Sequence, residues 1–283
     1  MRPQQWVKNL SLFAALIFSG HLFDPHESLQ TVLAFLSFCL VSSSVYIYND
    51  IVDVENDRNH PVKSRRPLPS GSLSAGNAFA AAGVLGAAGL AAGFTLHPGF
   101  GTILAAYLVL NVLYTLKLKE VVILDVMAIA AGFVLRVAGG AVLIQVPMSQ
   151  WLIICTILLS LFLGFGKRRA ELVTQPDGLS TTRSVLGHYS QYFLDQMIGV
   201  VTATTVMSYA LYTISEETVR KFGTHDLIYT VPFVLYGIFR YLYLVHKKTE
   251  GEDPTKTILT DMPLVVNILL WIAVASWIIY KAH

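Results

Sequence analysis

The sequence predicts an all-α membrane protein, a single bundle of nine transmembrane helices. Of its 283 residues, 54% are hydrophobic and only 13% are charged, and the mean hydropathy is +0.58. A soluble domain carries about twice that share of charged residues. Long apolar segments follow one another with gaps that are too short for a soluble domain. We therefore expect residues 1–283 to form one polytopic transmembrane domain.

Nine apolar segments are predicted to cross the membrane. They cover residues 10–23, 29–51, 74–96, 99–116, 121–144, 149–166, 192–214, 228–245 and 262–280. Most have the length that an α-helix needs to cross the hydrocarbon core, whereas the first and the sixth are short. The third is rich in alanine and glycine, which allow helices to pack closely in lipid.

Basic residues predict the orientation of the bundle. If the nine spans alternate in direction, fifteen of the twenty lysine and arginine residues fall on one side of the membrane. These fifteen are Arg2, Lys8, Arg58, Lys63, Arg65, Arg66, Lys117, Lys119, Lys167, Arg168, Arg169, Arg183, Lys247, Lys248 and Lys256. Cytoplasmic loops carry an excess of such residues. The sequence therefore predicts a cytoplasmic N-terminus and an external C-terminus, which an even number of spans does not allow.

An acidic cluster follows directly on the second predicted span. If that helix continues, Asn49, Asp53 and Asp57 share one face, and Asp50 lies three residues before Asp53. Like charges at this spacing repel, and a helix C-terminus disfavours anions, so the pattern indicates a missing cation. Mg²⁺ binds carboxylates together with substrate phosphates. We predict Asn49, Asp50, Asp53 and Asp57 as its ligands and the three aspartates as catalytic. The alternative is a solvated loop.

A basic segment follows the acidic cluster. Lys63, Arg65 and Arg66 lie between prolines that end the helix and shape a loop. Their side chains are donors for phosphate oxygens. Carboxylates for Mg²⁺ beside cations for phosphate are what a diphosphate-bearing substrate requires.

The run from Asn49 to Asp57, followed by Lys63 and Arg65-Arg66-Pro67, resembles the first aspartate-rich motif of the UbiA superfamily of intramembrane prenyltransferases. The resemblance implies an all-helical bundle with a central cavity that opens to the cytoplasmic side. That family usually carries a second aspartate-rich stretch after its sixth helix.

In this chain, Lys167, Arg168 and Arg169 stand where the second acidic stretch is expected. Three cations suit a second anion that arrives without its own metal ion. This exchange, together with the runs from Arg2 to Asn9 and from Tyr114 to Asp125, resembles the polyprenyl-phosphate phosphoribosyltransferase branch.

The resemblance to that branch implies a function. It is the Mg²⁺-dependent transfer of 5-phosphoribosyl from phosphoribosyl diphosphate to a decaprenyl-like polyprenyl monophosphate, with release of diphosphate. The setting is the bacterial plasma membrane and cell envelope biosynthesis. The alternative is a prenyltransferase that uses a polyprenyl diphosphate donor and an aromatic or other apolar acceptor.

Four further residues are predicted to bind substrate. Lys117 and Lys119 flank a short cytoplasmic turn, where topology alone also accounts for a basic residue. Asp125 lies inside the fifth span, and intramembrane carboxylates are candidates for functional sites. It faces either the metal ion or the ribose hydroxyls, unless it pairs with a lysine. Tyr189 is a candidate contact for ribose or phosphate.

Other polar residues within or beside the spans have competing interpretations. Arg136 is interpreted as a buried structural cation or as a snorkelling side chain. Arg240 either reaches a phosphate or snorkels beside Lys247. Asp261, which precedes the last span, is predicted to cap a helix. The N-terminal polar residues up to Asn9 either anchor the topology or contribute to the site.

The expected partners are the two substrates and the lipid bilayer, with no nucleic acid. A transporter with an acidic gate belongs to a different class of function. Apart from Asp50 and Asp195 near the ends of their spans, Asp125 is the only acidic residue within a span, so no polar pathway crosses the membrane. No motif specifies the lipid chain length or an oligomeric state.

Overall fold

The computed structural model describes residues 3–58, 63–174, 184–247 and 254–281, and these residues form helices and turns but no strand. The all-α fold class predicted from the sequence is therefore confirmed. In the described ranges the α-helices are α1 (Phe13–Phe18), α2 (Pro25–Val52), α3 (Val54–Arg58), α4 (Ala75–Leu96), α5 (Pro98–Leu116), α6 (Leu124–Leu143), α7 (Gln150–Val173), α8 (Gln191–Ile214), α9 (Glu216–Phe222), α10 (Val231–Lys247), α11 (Pro254–Thr260) and α12 (Met262–Lys281). Segments of 3₁₀ helix cover Pro3–Leu12, Lys63–Arg65, Leu118–Glu120, Ser184–His188 and Asp226–Thr230.

Local sequence explains where the long helices begin. The carboxylate of Asp24 accepts hydrogen bonds from the first backbone N–H groups of α2, and Pro25 occupies the first helical position, where no N–H is needed. The hydroxyls of Ser74, Ser149 and Ser190 cap α4, α7 and α8 in the same way.

Eight segments of the described chain are long and apolar enough to cross a membrane. They are α2, α4, α5, α6, α7, α8, Asp226–His246 and α12. These segments correspond to the second to ninth predicted spans.

Residues 10–23, the first predicted span, form no helix of that length. The 3₁₀ helix Pro3–Leu12 covers the beginning of this stretch, and α1 ends at Phe18. The chain then turns at Gly20, which adopts a φ of 86°, a left-handed conformation that glycine takes without strain. The predicted count of nine helices is not confirmed, because this turn ends the segment before a spanning helix forms.

The chain divides into two compact units. The first comprises residues 1–148 and 180–187, and the second comprises residues 149–179 and 188–283. The single domain expected for residues 1–283 stays a prediction.

The core of the first unit is built from α1, α2, α5, α6 and the N-terminal 3₁₀ helix. Leu12, Phe38, Phe100, Leu104 and Tyr107 are completely or almost completely buried. The ring of Phe38 contacts those of Phe100 and Tyr107 edge-on, at centroid distances of 5.8 and 5.3 Å.

Helices α2 and α4 pack closely, as the small residues of the third predicted span indicate. Gly86 faces Ser44, and a methyl group at Gly89 would overlap the side chain of Val41. The Ser44 hydroxyl donates a hydrogen bond of 2.7 Å to the carbonyl of Ala82. Contact between helix backbones and a short interhelical hydrogen bond stabilise helix pairs in lipid.

In the second unit, aromatic and hydroxyl side chains join the helices. The Tyr209 hydroxyl of α8 lies 2.7 Å from Thr230 Oγ1 and accepts a hydrogen bond of 2.8 Å from Trp271 Nε1 of α12. Phe162 of α7 packs on Tyr241 of α10, with ring centroids 5.3 Å apart.

Candidate functional site

The acidic cluster lies where α2 passes into α3. The backbone N–H of Asp53 bonds to the carbonyl of Asn49 at 2.9 Å, and that of Asp57 bonds to the carbonyl of Asp53 at 2.8 Å. These three residues are therefore one turn apart, as the sequence spacing predicts. Asp57 is almost fully buried. Exclusion from water makes an unpaired carboxylate costly there.

Arginine and lysine side chains of the first unit supply positive charge to this cluster. Arg66 Nη1 donates hydrogen bonds to Asp57 Oδ2 at 2.5 Å and to Asp50 Oδ1 at 3.3 Å. Lys63 Nζ lies 4.0 Å from Asp57 Oδ1. The cation whose absence the sequence indicates is thus partly supplied by the chain itself.

A second set of contacts surrounds Asp53. Lys119 Nζ bonds to Asp53 Oδ1 at 2.5 Å, and Asn49 Nδ2 donates to Asp53 Oδ2 at 3.0 Å. The Thr115 hydroxyl lies 3.3 Å from Asn49 Oδ1. The structure thus brings Lys119, which the sequence predicts to bind substrate, to the acidic cluster. Sequence reasoning missed Thr115. The sequence signal that could have identified Thr115 is its position four residues, or one helical turn, before Lys119.

Other predicted site residues of the first unit lie apart from these contacts. Arg65 and Lys117 are exposed, and the side chain of neither forms a hydrogen bond or ion pair with another described residue. Asp125 is fully buried in the first turn of α6, where the positive end of the helix dipole stabilises a carboxylate. This position is compatible with a structural role as well as with the predicted polar role.

The basic cluster of the second unit lies within α7, not in a loop after the sixth span. Arginine, lysine, alanine and glutamate are good helix formers, and no proline interrupts the chain, so α7 continues from Gly166 to Val173. The ion pairs of Glu171 with Lys167 at 3.8 Å and with Arg168 at 2.5 Å stabilise this extension.

Two arginines of that cluster are buried and paired with carboxylates. Arg168 is fully buried against Glu171, and Arg169 Nε bonds to Asp195 Oδ1 at 2.5 Å. Carboxylates of the second unit thus neutralise the charges of both Arg168 and Arg169. Tyr189 is buried and stacks on Phe193, with ring centroids 6.0 Å apart. The assignment of these residues to a phosphate stays a prediction.

Arg136 is a buried structural cation, one of the two interpretations of the sequence. Its guanidinium donates hydrogen bonds of 2.8–2.9 Å to Asn9 Oδ1, to the Gly132 carbonyl and to the Tyr107 hydroxyl. Asn9 in turn donates to Ser42 of α2 at 3.2 Å. The N-terminal 3₁₀ helix is thereby joined to α2, α5 and α6, which gives the polar N-terminal run a structural role.

Arg240 pairs with Asp261, a partner that neither interpretation of the sequence included. Its Nε and Nη2 bond to the two carboxylate oxygens of Asp261 at 3.0 and 2.8 Å. Asp261 Oδ1 also accepts from the backbone N–H of Leu264 and so caps α12, as predicted.

The carboxylates of the acidic cluster fit a Mg²⁺ ion that has two protein carboxylates and takes its other ligands from the substrate. Among the described residues, no group of three or more His, Cys, Asp or Glu side chains is arranged around one ion. However, Asp50 and Asp57 both reach a single cationic nitrogen of Arg66. Mg²⁺ is commonly bound by one or two carboxylates plus substrate phosphates, so this pair suits an ion that shares its ligands with a diphosphate.

Comparisons with known proteins agree with this chemistry. A profile of the UbiA prenyltransferase family matches residues 10–262. The decaprenyl-phosphate phosphoribosyltransferase of Mycolicibacterium smegmatis is 32% identical, over 99% of this chain and 91% of that protein. The enzyme of the same name from Mycobacterium tuberculosis is 32% identical, over 96% of this chain and 90% of that protein.

Solved structures show the same fold. A UbiA homolog from Archaeoglobus fulgidus, bound to GPP and Mg²⁺, superimposes with a TM-score of 0.73. The alignment covers 99% of this chain and 97% of that one at 18% sequence identity. A multi-pass membrane protein follows from this fold and from the eight apolar helices in the described ranges. The family profile and the relatives that match nearly the full chain together establish that this protein belongs to the UbiA prenyltransferase family.

Proposed function

We propose that this membrane transferase moves 5-phosphoribosyl from phosphoribosyl diphosphate to a polyprenyl monophosphate and releases diphosphate. The observation that carries the proposal lies in the sequence, which has one acidic cluster, at residues 49–57, and a basic cluster, at residues 167–169, where a second acidic cluster is expected. Two relatives named decaprenyl-phosphate phosphoribosyltransferase, similar over nearly the whole chain, support it.

The acidic cluster is assigned to the diphosphate of the donor. Asp50, Asp53 and Asp57, with the Asn49 amide oxygen, would hold Mg²⁺. When bound, Mg²⁺ neutralises charge on the leaving diphosphate. The binding of Mg²⁺ by a UbiA homolog from Archaeoglobus fulgidus, together with GPP or DMAPP, supports this metal.

Arg66 and Lys119 are assigned to the same diphosphate. Each pairs with an aspartate of the cluster, and each would be available to donate to a phosphate oxygen if bound Mg²⁺ took over the charge of those aspartates. Lys63 lies beside them, and the exposed Arg65 and Lys117 add positive charge that attracts the donor.

The reaction requires one bond to break and one to form. The bond from ribose C1 to the diphosphate oxygen breaks, and C1 gains oxocarbenium character as in other glycosyl transfers. An oxygen of the polyprenyl phosphate then bonds to C1. Because that phosphate is already ionised, no general base is assigned, and catalysis rests on positioning and electrostatics.

The acceptor phosphate is assigned to the second unit. Lys167 is the most accessible cation of its cluster, with 29% of its side chain exposed and a long ion pair. Arg168 and Arg169 are assigned to the same phosphate, which they would share with their present partners Glu171 and Asp195. In the first unit, Asp125 is assigned to ribose hydroxyls or to the metal ion. Tyr189 is assigned to ribose or phosphate.

The membrane arrangement is also part of the proposal. The 3₁₀ helix Pro3–Leu12 and α1 together rise about 29 Å, at ~2.0 Å and ~1.5 Å per residue. That length is close to the ~30 Å hydrocarbon core and supports a ninth crossing. With nine crossings in a bacterial plasma membrane, the N-terminus is cytoplasmic and the C-terminus external, and the substrate cavity opens to the cytoplasm.

A radiolabel transfer assay tests the function. Purified protein in detergent receives phosphoribosyl diphosphate labelled in the ribose, decaprenyl phosphate and Mg²⁺, with a parallel sample in EDTA. We expect label in the organic phase only with Mg²⁺. Consumption of a polyprenyl diphosphate with an aromatic acceptor, and no ribose transfer, would instead support prenyl transfer.

A matched pair of aspartate variants tests the metal assignment. Asp53→Asn should abolish transfer while the protein remains folded, because Asp53 would ligate the ion. Asp226→Asn changes an exposed aspartate outside the site and should retain activity. Activity of Asp53→Asn at the level of the wild type would contradict the assignment.

A further inference from the structure

Thr115 contacts the acidic cluster without belonging to it. It lies in the last turn of α5 and is 1% exposed. Its hydroxyl oxygen is 3.3 Å from Asn49 Oδ1, across a sequence separation of 66 residues.

The direction of this hydrogen bond follows from the neighbouring groups. An ionised carboxylate only accepts hydrogen bonds, so the Asn49 atom that faces Asp53 Oδ2 at 3.0 Å must be the amide nitrogen. The amide oxygen Oδ1 therefore faces Thr115. Because a carbonyl oxygen also only accepts, the Thr115 hydroxyl must donate.

The same stretch of chain contacts both ends of the Asn49–Asp53 turn. Thr115 bonds to Asn49, and Lys119, in the 3₁₀ helix Leu118–Glu120, bonds to Asp53 Oδ1. Asp53 thus has one oxygen held by Lys119 and the other by Asn49. Without the Thr115 hydroxyl, no other described residue donates to Asn49 Oδ1, and the Nδ2–Asp53 bond alone opposes rotation of that amide.

We propose that Thr115 is a positioning residue for the metal–diphosphate site. Its hydroxyl orients the Asn49 amide, so that Nδ2 holds Asp53 and Oδ1 would remain available as a ligand for the ion. The proposal rests on the proposed function only through the metal role of Asn49 and Asp53. It is independent of which group the enzyme transfers.

Binding of Mn²⁺ with inorganic diphosphate, followed by electron paramagnetic resonance of the detergent-solubilised protein, tests the proposal without turnover. Outer-shell partners of metal ligands typically change affinity about 10- to 100-fold when removed. We expect Thr115→Val, which keeps the shape but not the hydroxyl, to weaken binding by about that factor. Thr115→Ser, which keeps the hydroxyl, should bind within a few-fold of the wild type.

A threonine elsewhere in the first unit provides the matched control. Thr31 is also 1% exposed, but its hydroxyl bonds only to the Glu27 carbonyl of its own helix, at the other end of α2. Thr31→Val should leave Mn²⁺–diphosphate binding unchanged. The Mg²⁺ concentration for half-maximal transfer should rise in Thr115→Val and not in Thr31→Val.

Three results would overturn the proposal: unchanged binding in Thr115→Val, equal loss in Thr115→Val and Thr115→Ser, or no Mn²⁺–diphosphate binding by the wild type. The second result would show that Thr115 matters for packing alone. Failure of the proposed function would give a different result: the wild type would bind Mn²⁺–diphosphate but transfer no ribose. That result would contradict the assigned substrates and not the role of Thr115. The ratio between the two Thr115 variants then still decides the role of Thr115.

Discussion

Replacement of Tyr107 by phenylalanine tests how the buried charge of Arg136 is stabilised. Arg136 is 4% exposed, and in the described part of the chain it pairs with no carboxylate. Its Nη2 donates to the Tyr107 hydroxyl at 2.8 Å, and its guanidinium carbon lies 4.7 Å from the centroid of the Tyr107 ring. Tyr107→Phe removes the hydroxyl and retains the ring.

The two classes of hydrogen bond give different magnitudes. A hydrogen bond to a charged group contributes about 1.5–3 kcal/mol, whereas hydrogen bonds between helices in membrane proteins average ~0.6 kcal/mol. Because the bond involves a buried guanidinium, Tyr107→Phe should lower the free energy of unfolding by about 1.5–3 kcal/mol. This corresponds to a change of about 10- to 100-fold in the unfolding equilibrium.

A double-mutant cycle isolates this contribution. In the Arg136→Met background the hydroxyl has lost its charged partner, so Tyr107→Phe should cost much less than in the wild type. Unfolding equilibria of the wild type, both single variants and the double variant are measured in detergent. A coupling energy near ~0.6 kcal/mol or below would refute the reasoning, because the bond would then behave like one between neutral groups.

Two further changes probe the helix contacts. Gly89→Ala should lower the free energy of unfolding by about 1–3 kcal/mol, because the added methyl overlaps Val41, whereas Gly83→Ala, at an open position, should leave it unchanged or slightly higher. Equal effects of the two substitutions in a thermal unfolding assay would contradict the close contact of α2 and α4. Asp261→Asn should lower the melting temperature in detergent, because it weakens both the Arg240 ion pair and the cap of α12, and it should retain transfer activity. A loss of transfer at unchanged melting temperature would assign Asp261 to the site instead.

The long helices were predictable because their causes are local. Apolar segments of spanning length and the caps that precede them lie within a few residues of each other, so α2, α4–α8 and α12 follow from composition and spacing. The turn that places Asn49, Asp53 and Asp57 on one face follows in the same way from helical periodicity.

Two elements differ from the prediction for reasons that hydropathy does not report. Residues 10–23 turn at Gly20 before a spanning helix forms, although most residues in the stretch are apolar. Helix α7 continues past the end of its apolar run, because Glu171 pairs with Lys167 and Arg168 on the helix surface. Hydropathy identifies only the apolar part of a helix, which lies in lipid. A polar extension lengthens the helix but does not lengthen the apolar segment that hydropathy detects.

The sequence by itself determined the all-α membrane fold and the acidic turn of the candidate site. It also determined that many lysine and arginine residues lie on the same predicted side of the membrane as that turn. Only the tertiary structure decided which cation serves which group: Lys119 meets Asp53 across 66 residues, and Arg136 meets Asn9 across 127. It likewise identified Thr115 as the donor to Asn49, and it showed that Arg168 and Arg169 already have carboxylate partners. The physical reason is range: helix formation and membrane partition depend on neighbours along the chain. The partner of a buried polar group depends on which helices pack together.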